Sequence, residues 1–180
     1  MKQDTTDWNL TAETGLIVKV PAAEPVVGRW RDKFDVATAA GIPAHMTVLY
    51  PFLDYHLVNA SVRNELGALL ARHRAFDVEL RECQRFPGVL YLAPVPASQL
   101  RALTEAVVSR WPEAPPYNGQ FADVVPHLTV AQSDDPEVLD MIENDISSRL
   151  PIIARVASVH LVAHRSGRWH EEQMFGLAAR

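Results

Sequence analysis

Two short stretches constrain this chain more than any other feature: Pro43-Ala44-His45-Met46-Thr47-Val48 and Val125-Pro126-His127-Leu128-Thr129-Val130. Each reads His, apolar residue, Thr, Val, with a proline one or two residues before the His. Each is short, apolar and β-branched, which predicts a buried strand. Side chains alternate faces along a strand, so the His and Thr of each copy share one face. Met46 and Val48, or Leu128 and Val130, then turn the opposite way, into a core. With seven His and eight Thr in 180 residues, chance alone supplies about 0.3 His-x-Thr tripeptides. Two copies with matched neighbours are not an accident of composition.

The surroundings of the two stretches also recur. Gly15–Val20 is a predicted strand closed by Pro21. A helix is predicted over 24–39, where Val26, Val27, Trp30, Phe34 and Ala37 recur at helical spacing. The first His-x-Thr strand follows, then a helix over 57–73, an alternating strand over 76–83, the Pro87-Gly88 turn and a strand over 89–95. The order then repeats: a helix over 98–111, a loop over 112–122 rich in Pro, Gly and Asn, and the second His-x-Thr strand. After it come a helix opened by Asp134-Asp135-Pro136-Glu137, a strand over 152–163, a turn at Ser166-Gly167 and a closing strand over 173–177. The two histidines stand 82 residues (127 − 45) apart, nearly half the chain. That recurrence predicts an α+β fold made by duplication. Two lobes of mostly antiparallel sheet, flanked by helices, would be related by a pseudo-two-fold axis around a central groove. The expected organisation is a single domain of two lobes, with repeat units at roughly 15–93 and 89–178 and a loose leader over 1–14.

Composition excludes several classes. At 48% hydrophobic and 22% charged residues the chain can bury a sizeable core. Its net charge of −5 opposes non-specific binding of duplex DNA, which runs on phosphate neutralisation. Small nucleotides or RNA ends suit that charge better. A single cysteine, Cys83, rules out disulfides within the chain and cysteine-rich zinc sites, and a core role is expected for it. No apolar run reaches the length of a membrane span, and residues 1–13 lack the layout of a signal peptide. A cytoplasmic monomer is expected.

Two imidazoles facing one substrate suit displacement at phosphorus. A neutral His takes a proton from the attacking hydroxyl or water, and a protonated His gives one to the leaving oxygen. Histidine serves both roles because its ordinary pKa lies near neutrality. The hydroxyls of Thr47 and Thr129 can donate to non-bridging phosphate oxygens as charge builds there. Such chemistry calls for no metal and no cofactor.

His45-Met46-Thr47-Val48 and His127-Leu128-Thr129-Val130 resemble the paired H-x-T/S-x motifs of the two-histidine (2H) phosphoesterases, and in particular the 2′-5′ RNA ligase-like and RNA 2′,3′-cyclic phosphodiesterase branch. The resemblance extends over most of the chain. It implies a bilobal fold with a central groove and metal-independent chemistry on 2′,3′-cyclic phosphates or 2′-5′ phosphodiester bonds of nucleotides or RNA ends, with a 2′-phosphate as the product of ring opening. His45 and His127 are then catalytic, and Thr47 and Thr129 hold the substrate phosphate. It also implies that the first His protonates the leaving group and the second activates water, although the residues themselves leave the two roles open.

Other candidates are secondary. Arg165 and Arg168 lie at a predicted hairpin and are possible phosphate contacts, with solvated surface as the default. Tyr117 lies in the loop before the second motif and is a possible contact for a base. Tyr50 and Phe52 share the Met46 face by strand parity, which predicts a core role. His160 and His164 share a strand face at a spacing a metal would accept, but no acidic or cysteine partner is near in sequence. Two alternatives to the hydrolase stand beside it: a non-catalytic module that holds a nucleotide or phosphate in the same groove, and a metal-dependent hydrolase built on His160 and His164.

Overall fold

The computed structural model describes residues 13–179. Most of the expected leader therefore lies outside the described residues, while Thr14 already opens the first strand. In chain order the elements are β1 (Thr14–Lys19), α1 (Glu24–Phe34), α2 (Val36–Ala39), β2 (His45–Leu49), α3 (Ala60–Leu70), β3 (Phe76–Phe86), β4 (Val89–Val95), α4 (Ser98–Arg110), β5 (Leu128–Gln132), α5 (Pro136–Ser147), β6 (Ile152–Val156), β7 (Ser158–Arg165) and β8 (Arg168–Gly176).

Two predicted elements are divided in the structure. The helix predicted over 24–39 divides at Asp35, whose backbone is extended and whose carboxylate accepts from Ala37 N at 2.9 Å, capping α2. The strand predicted over 152–163 is two strands, β6 and β7, which join different sheets. Apolar alternation continues through both and carries no mark of a change of partner.

The strands form two antiparallel four-stranded sheets, ordered β2-β1-β7-β8 and β5-β4-β3-β6. The α+β class, the antiparallel sheets and the flanking helices agree with the sequence. The sheets do not follow the repeat units 15–93 and 89–178, because strands are exchanged between them. β3 leaves the first unit to pair with β4, and β7 returns from the second to pair with β1. Helices cross in the same way: α1 packs on β5 and α4 on β2. One continuous core results, running from Leu16, Met46 and Leu161 through Leu66 and Leu103 to Leu90, Leu128 and Ile142.

The exchange leaves both His-x-Thr strands at sheet edges, where they lie against one another. Met46, Val48, Leu128 and Val130 are fully buried, and His45, Thr47, His127 and Thr129 are half-buried on the other face. This is the alternation expected of a half-covered strand.

A fragment ending at residue 93 lacks β7, the inner neighbour of β1, and β5 and β6, which flank β3 and β4. It should stay unfolded by near-ultraviolet circular dichroism and amide NMR dispersion, whereas the whole chain folds. A fragment with native-like dispersion would contradict the exchanged architecture.

Candidate active site

β2 and β5 present their histidines in the same manner. Nδ1 of His45 lies 2.8 Å from the Pro43 carbonyl oxygen, and Nδ1 of His127 lies 2.7 Å from that of Val125. A carbonyl oxygen only accepts, so Nδ1 carries the proton and donates in both. Each imidazole thereby leaves Nε2 for a ligand, as a lone pair when neutral and as N–H when charged. In each case the acceptor is the carbonyl two residues before the His, so the arrangement is duplicated along with the motif.

Burial pushes both histidines below their ordinary pKa of 6.5, His45 to about 4. Their carbonyl hydrogen bonds work in the opposite direction. Positive charge on Arg31 and on His127 lowers His45 further, which places the second imidazole within electrostatic reach of the first. Burial thus favours the neutral form of both rings.

The two sides of the site differ. Beside β5 lies a cleft of about 560 Å³, lined by His127, Thr129, Phe86, Tyr117, Phe121 and the Val124-Val125 turn, among others. Phe86 stacks on Tyr91 with ring centres 4.2 Å apart, and both stand edge-on to His127, at 5.2 and 5.4 Å. Tyr117 meets Phe121 edge-on at 5.5 Å, and Phe121 is largely exposed. Thr47 opens on an adjoining hollow of about 310 Å³ between β2, α4 and the 116–126 loop. His45 lines neither hollow. Opposite it across the β1–β2 pair stands Lys19, which is ion-paired with Glu171.

Tyr117 is the secondary candidate that the structure brings to the motifs. Its amide donates to Tyr50 O at 2.7 Å, its hydroxyl faces Thr47, and its ring forms part of the cleft wall. It and Asn118 adopt left-handed backbone angles, φ 49° and 54°, an uncommon conformation outside glycine. Arg165 is not brought there. It pairs with Glu172 at 2.5 Å and covers the Tyr55 ring at 4.9 Å. Arg168 is exposed at the hairpin tip, its guanidinium beside Gly41.

The remaining candidates fall as follows. Phe52 is buried edge-on to Trp111. Tyr50 is not a core residue: a bulge at Val48 resets the parity of β2, since Ile17 pairs with Thr47 but Leu16 with Leu49. Its ring meets Trp169 edge-on and its hydroxyl donates to Glu13 at 2.5 Å. Burial lifts the partly covered Cys83 thiol to about 12, which leaves it unreactive. His160 is buried beside Ser158 and Glu171 while His164 packs on Trp169, and the described residues contain no cluster of three or more metal-ligating side chains.

Sequence reasoning missed the charged residues behind the histidines. Arg31 sits among buried groups, paired with Asp35, and its one signal in the sequence is its place four residues after Val27 on the apolar face of α1. It also missed Phe86, which lies past the strand predicted over 76–83 and joins the site through the longer β3 (Phe76–Phe86).

The family model of the 2′-5′ RNA ligase superfamily matches residues 18–168. The chain belongs to that superfamily, the two-histidine phosphoesterases. Its fold is similar to that of E. coli LigT. The LigT structure with NADP+ is 20% identical over 94% of this chain and 99% of LigT, with a TM-score of 0.58. The LigT structure with 3′-AMP is 20% identical over 93% and 98%, with a TM-score of 0.59. TT0787 of Thermus thermophilus is 17% identical over 93% and 99%, with a TM-score of 0.58. No curated protein matches the sequence. No helix among the described residues is long and apolar enough to cross a membrane.

The lowered histidine pKa carries a stability signature. Between pH 6.5 and about 4 the unfolded chain binds a proton at residue 45 that the folded chain does not, so stability falls as pH falls through that window. Urea midpoints measured from pH 7 to 4.5 should fall less steeply in His45→Asn, which does not titrate. An equal slope in variant and parent would refute the buried, neutral His45.

Proposed function

We propose that this chain is a phosphoesterase that opens 2′,3′-cyclic phosphates, or cleaves 2′-5′ phosphodiester bonds, in nucleotides or at RNA ends, by acid–base catalysis between His45 and His127. One observation carries the reading: two strands lying against one another each offer an imidazole whose Nδ1–H is committed to a backbone carbonyl, leaving Nε2 for substrate.

In this reaction the oxygen of a water attacks phosphorus while one neutral imidazole takes its proton at Nε2. The bond from phosphorus to a sugar oxygen breaks, and the other imidazolium gives its Nε2 proton to that oxygen. The two rings end with their protonation states exchanged, and solvent restores them. Thr47 and Thr129 donate to the non-bridging oxygens as charge accumulates. The aromatic cleft beside His127 suits a nucleobase, because ring faces at Phe86, Tyr117 and Phe121 accept any base by stacking. Family membership supports phosphoester chemistry, and likeness to LigT, crystallised with 3′-AMP, ATP and NADP+, supports a nucleotide substrate.

The pKa pattern adds a requirement. Burial favours the neutral form of both rings, yet one must be charged to act as acid. A bound phosphate anion supplies the missing stabilisation of an imidazolium. Binding of a nucleoside 2′- or 3′-monophosphate near pH 7 should therefore take up protons. Calorimetry in buffers of different ionisation enthalpy measures that uptake directly, and release of protons would contradict the scheme.

The defining experiment is turnover of nucleoside 2′,3′-cyclic phosphates with chelator present. We expect a 2′-phosphate product and a bell-shaped pH–rate profile. Loss of either imidazole should cost at least the ~10²–10⁴-fold typical of an acid or base role. The His45→Ala, His127→Ala double variant should lose little beyond either single one, because the pair acts as a unit. Full activity in His127→Ala would overturn the proposal, and tight nucleotide binding without turnover would make the groove a binding module instead.

A further inference from the structure

The two histidine loops are each held by an arginine from the helix that precedes them, at the same place. Arg31, on α1, donates from Nη2 to the carbonyl oxygen of Ile42 at 3.3 Å. Arg101, on α4, donates from Nη1 to the carbonyl oxygen of Val124 at 3.0 Å. Ile42 is three residues before His45, and Val124 three before His127. Each arginine also binds an aspartate: Asp35 at 3.0 Å from Nε and 2.9 Å from Nη2 of Arg31, and Asp123 at 3.0 Å from Nη1 of Arg101. The carbonyl that each arginine grips belongs to the peptide unit next to the one whose carbonyl accepts Nδ1–H of the histidine.

We infer that Arg31 and Arg101 are a duplicated pair of positioning residues, each fixing the loop carbonyl that sets the tautomer and aim of one imidazole. The inference rests on the reading of His45 and His127 as the acid–base pair. Neither guanidinium need touch substrate. A ring aimed through Nε2 is only as well placed as the carbonyl that holds Nδ1, and that carbonyl sits in a loop rather than in a ladder of hydrogen bonds. A second anchor one peptide unit away removes the rotation that would let the ring drift.

The same geometry accounts for the unequal placing of the two prolines. In the first copy Pro43 stands two before the His, and the accepting peptide unit ends in an N–H, that of Ala44. Glu24 takes it at 2.6 Å. In the second copy the corresponding position is Pro126, which has no N–H to satisfy and whose ring restricts the backbone instead. A carboxylate from α1 accepts that N–H in one copy, and a proline removes it in the other. The two arginines differ in setting: the Arg31 side chain is 1% exposed and that of Arg101 40%. Removing Arg31 strands Asp35 in the interior. Arg101 is the one that can be removed with the fold kept.

The test is Arg101→Met, with Arg101→Lys and Arg31→Lys beside it, followed by thermal melting, turnover of nucleoside 2′,3′-cyclic phosphates and long-range ¹⁵N NMR of the histidine rings. Peaks are assigned by their loss in His45→Ala and His127→Ala. We expect Arg101→Met to melt near the parent temperature and to shift His127 out of the pure Nδ1–H tautomer. The His45 ring should stay unchanged. The kcat value should fall toward the order of 100-fold that a misplacement of about 1 Å can cost. Arg101→Lys should recover part of both effects. Arg31→Lys should move the His45 ring and spare His127. Unchanged His127 ring nitrogens in Arg101→Met, or equal movement of both rings, would overturn the inference. Turnover that survives His127→Ala would instead overturn the acid–base reading, and the ring spectra would still decide whether the arginines position the imidazoles.

Discussion

The molecule depends on the antiparallel pairing of strands across its two halves. β3, which follows α3, pairs with β4, and β7, which follows β6, pairs with β1. Without that exchange each His-x-Thr strand would belong to a small sheet of its own, and nothing would bring the two together. With it, β2 and β5 become edge strands that meet. An exposed edge is a liability in a sheet. Here the edges are covered by each other and by a helix from the opposite half, with Thr104 of α4 donating to Val48 O at 2.7 Å. The constraint that builds the core also builds the site.

Duplication reproduces the setting of the two histidines and not the residues beside them. The strand, the His-x-Thr pattern, the carbonyl two residues upstream and the arginine on the carbonyl three upstream recur in both halves. Those features need only local backbone geometry, which a copied sequence reproduces. The walls have diverged. On the His127 side they are rings, Phe86, Tyr91, Tyr117 and Phe121. On the His45 side stand charged pairs instead, Arg31 with Asp35 in the interior and Lys19 with Glu171 across the β1–β2 pair.

The pattern of burial sets the electrostatics. Half-burying an imidazole disfavours its charged form, and both histidines carry that penalty, His45 most visibly. Among the neighbouring charges, Arg31 and His127 lower the His45 pKa further and Asp35 opposes them. Burial thus favours the neutral form of both imidazoles.

Much of this was legible in the sequence, and the limits have physical causes. Period-two alternation placed His45, Thr47, His127 and Thr129 on one face of their strands and Met46, Val48, Leu128 and Val130 in the core, because a strand's geometry is local. The same locality made the duplication visible and located most elements to within a few residues. Partner choice is not local. Nothing in Ile152–Arg165 announces that Ala157 carries the chain from one sheet to the other, and nothing in β2 announces the bulge that turns Tyr50 out of the core. Phe86, Arg31 and Arg101 acquire their places only when elements distant in sequence close around the two histidines. The sequence by itself determined which groups could do chemistry and which way they face. The tertiary structure alone decided what stands beside them, since ring stacking, burial and carbonyl anchoring are properties of neighbours that the chain supplies from elsewhere.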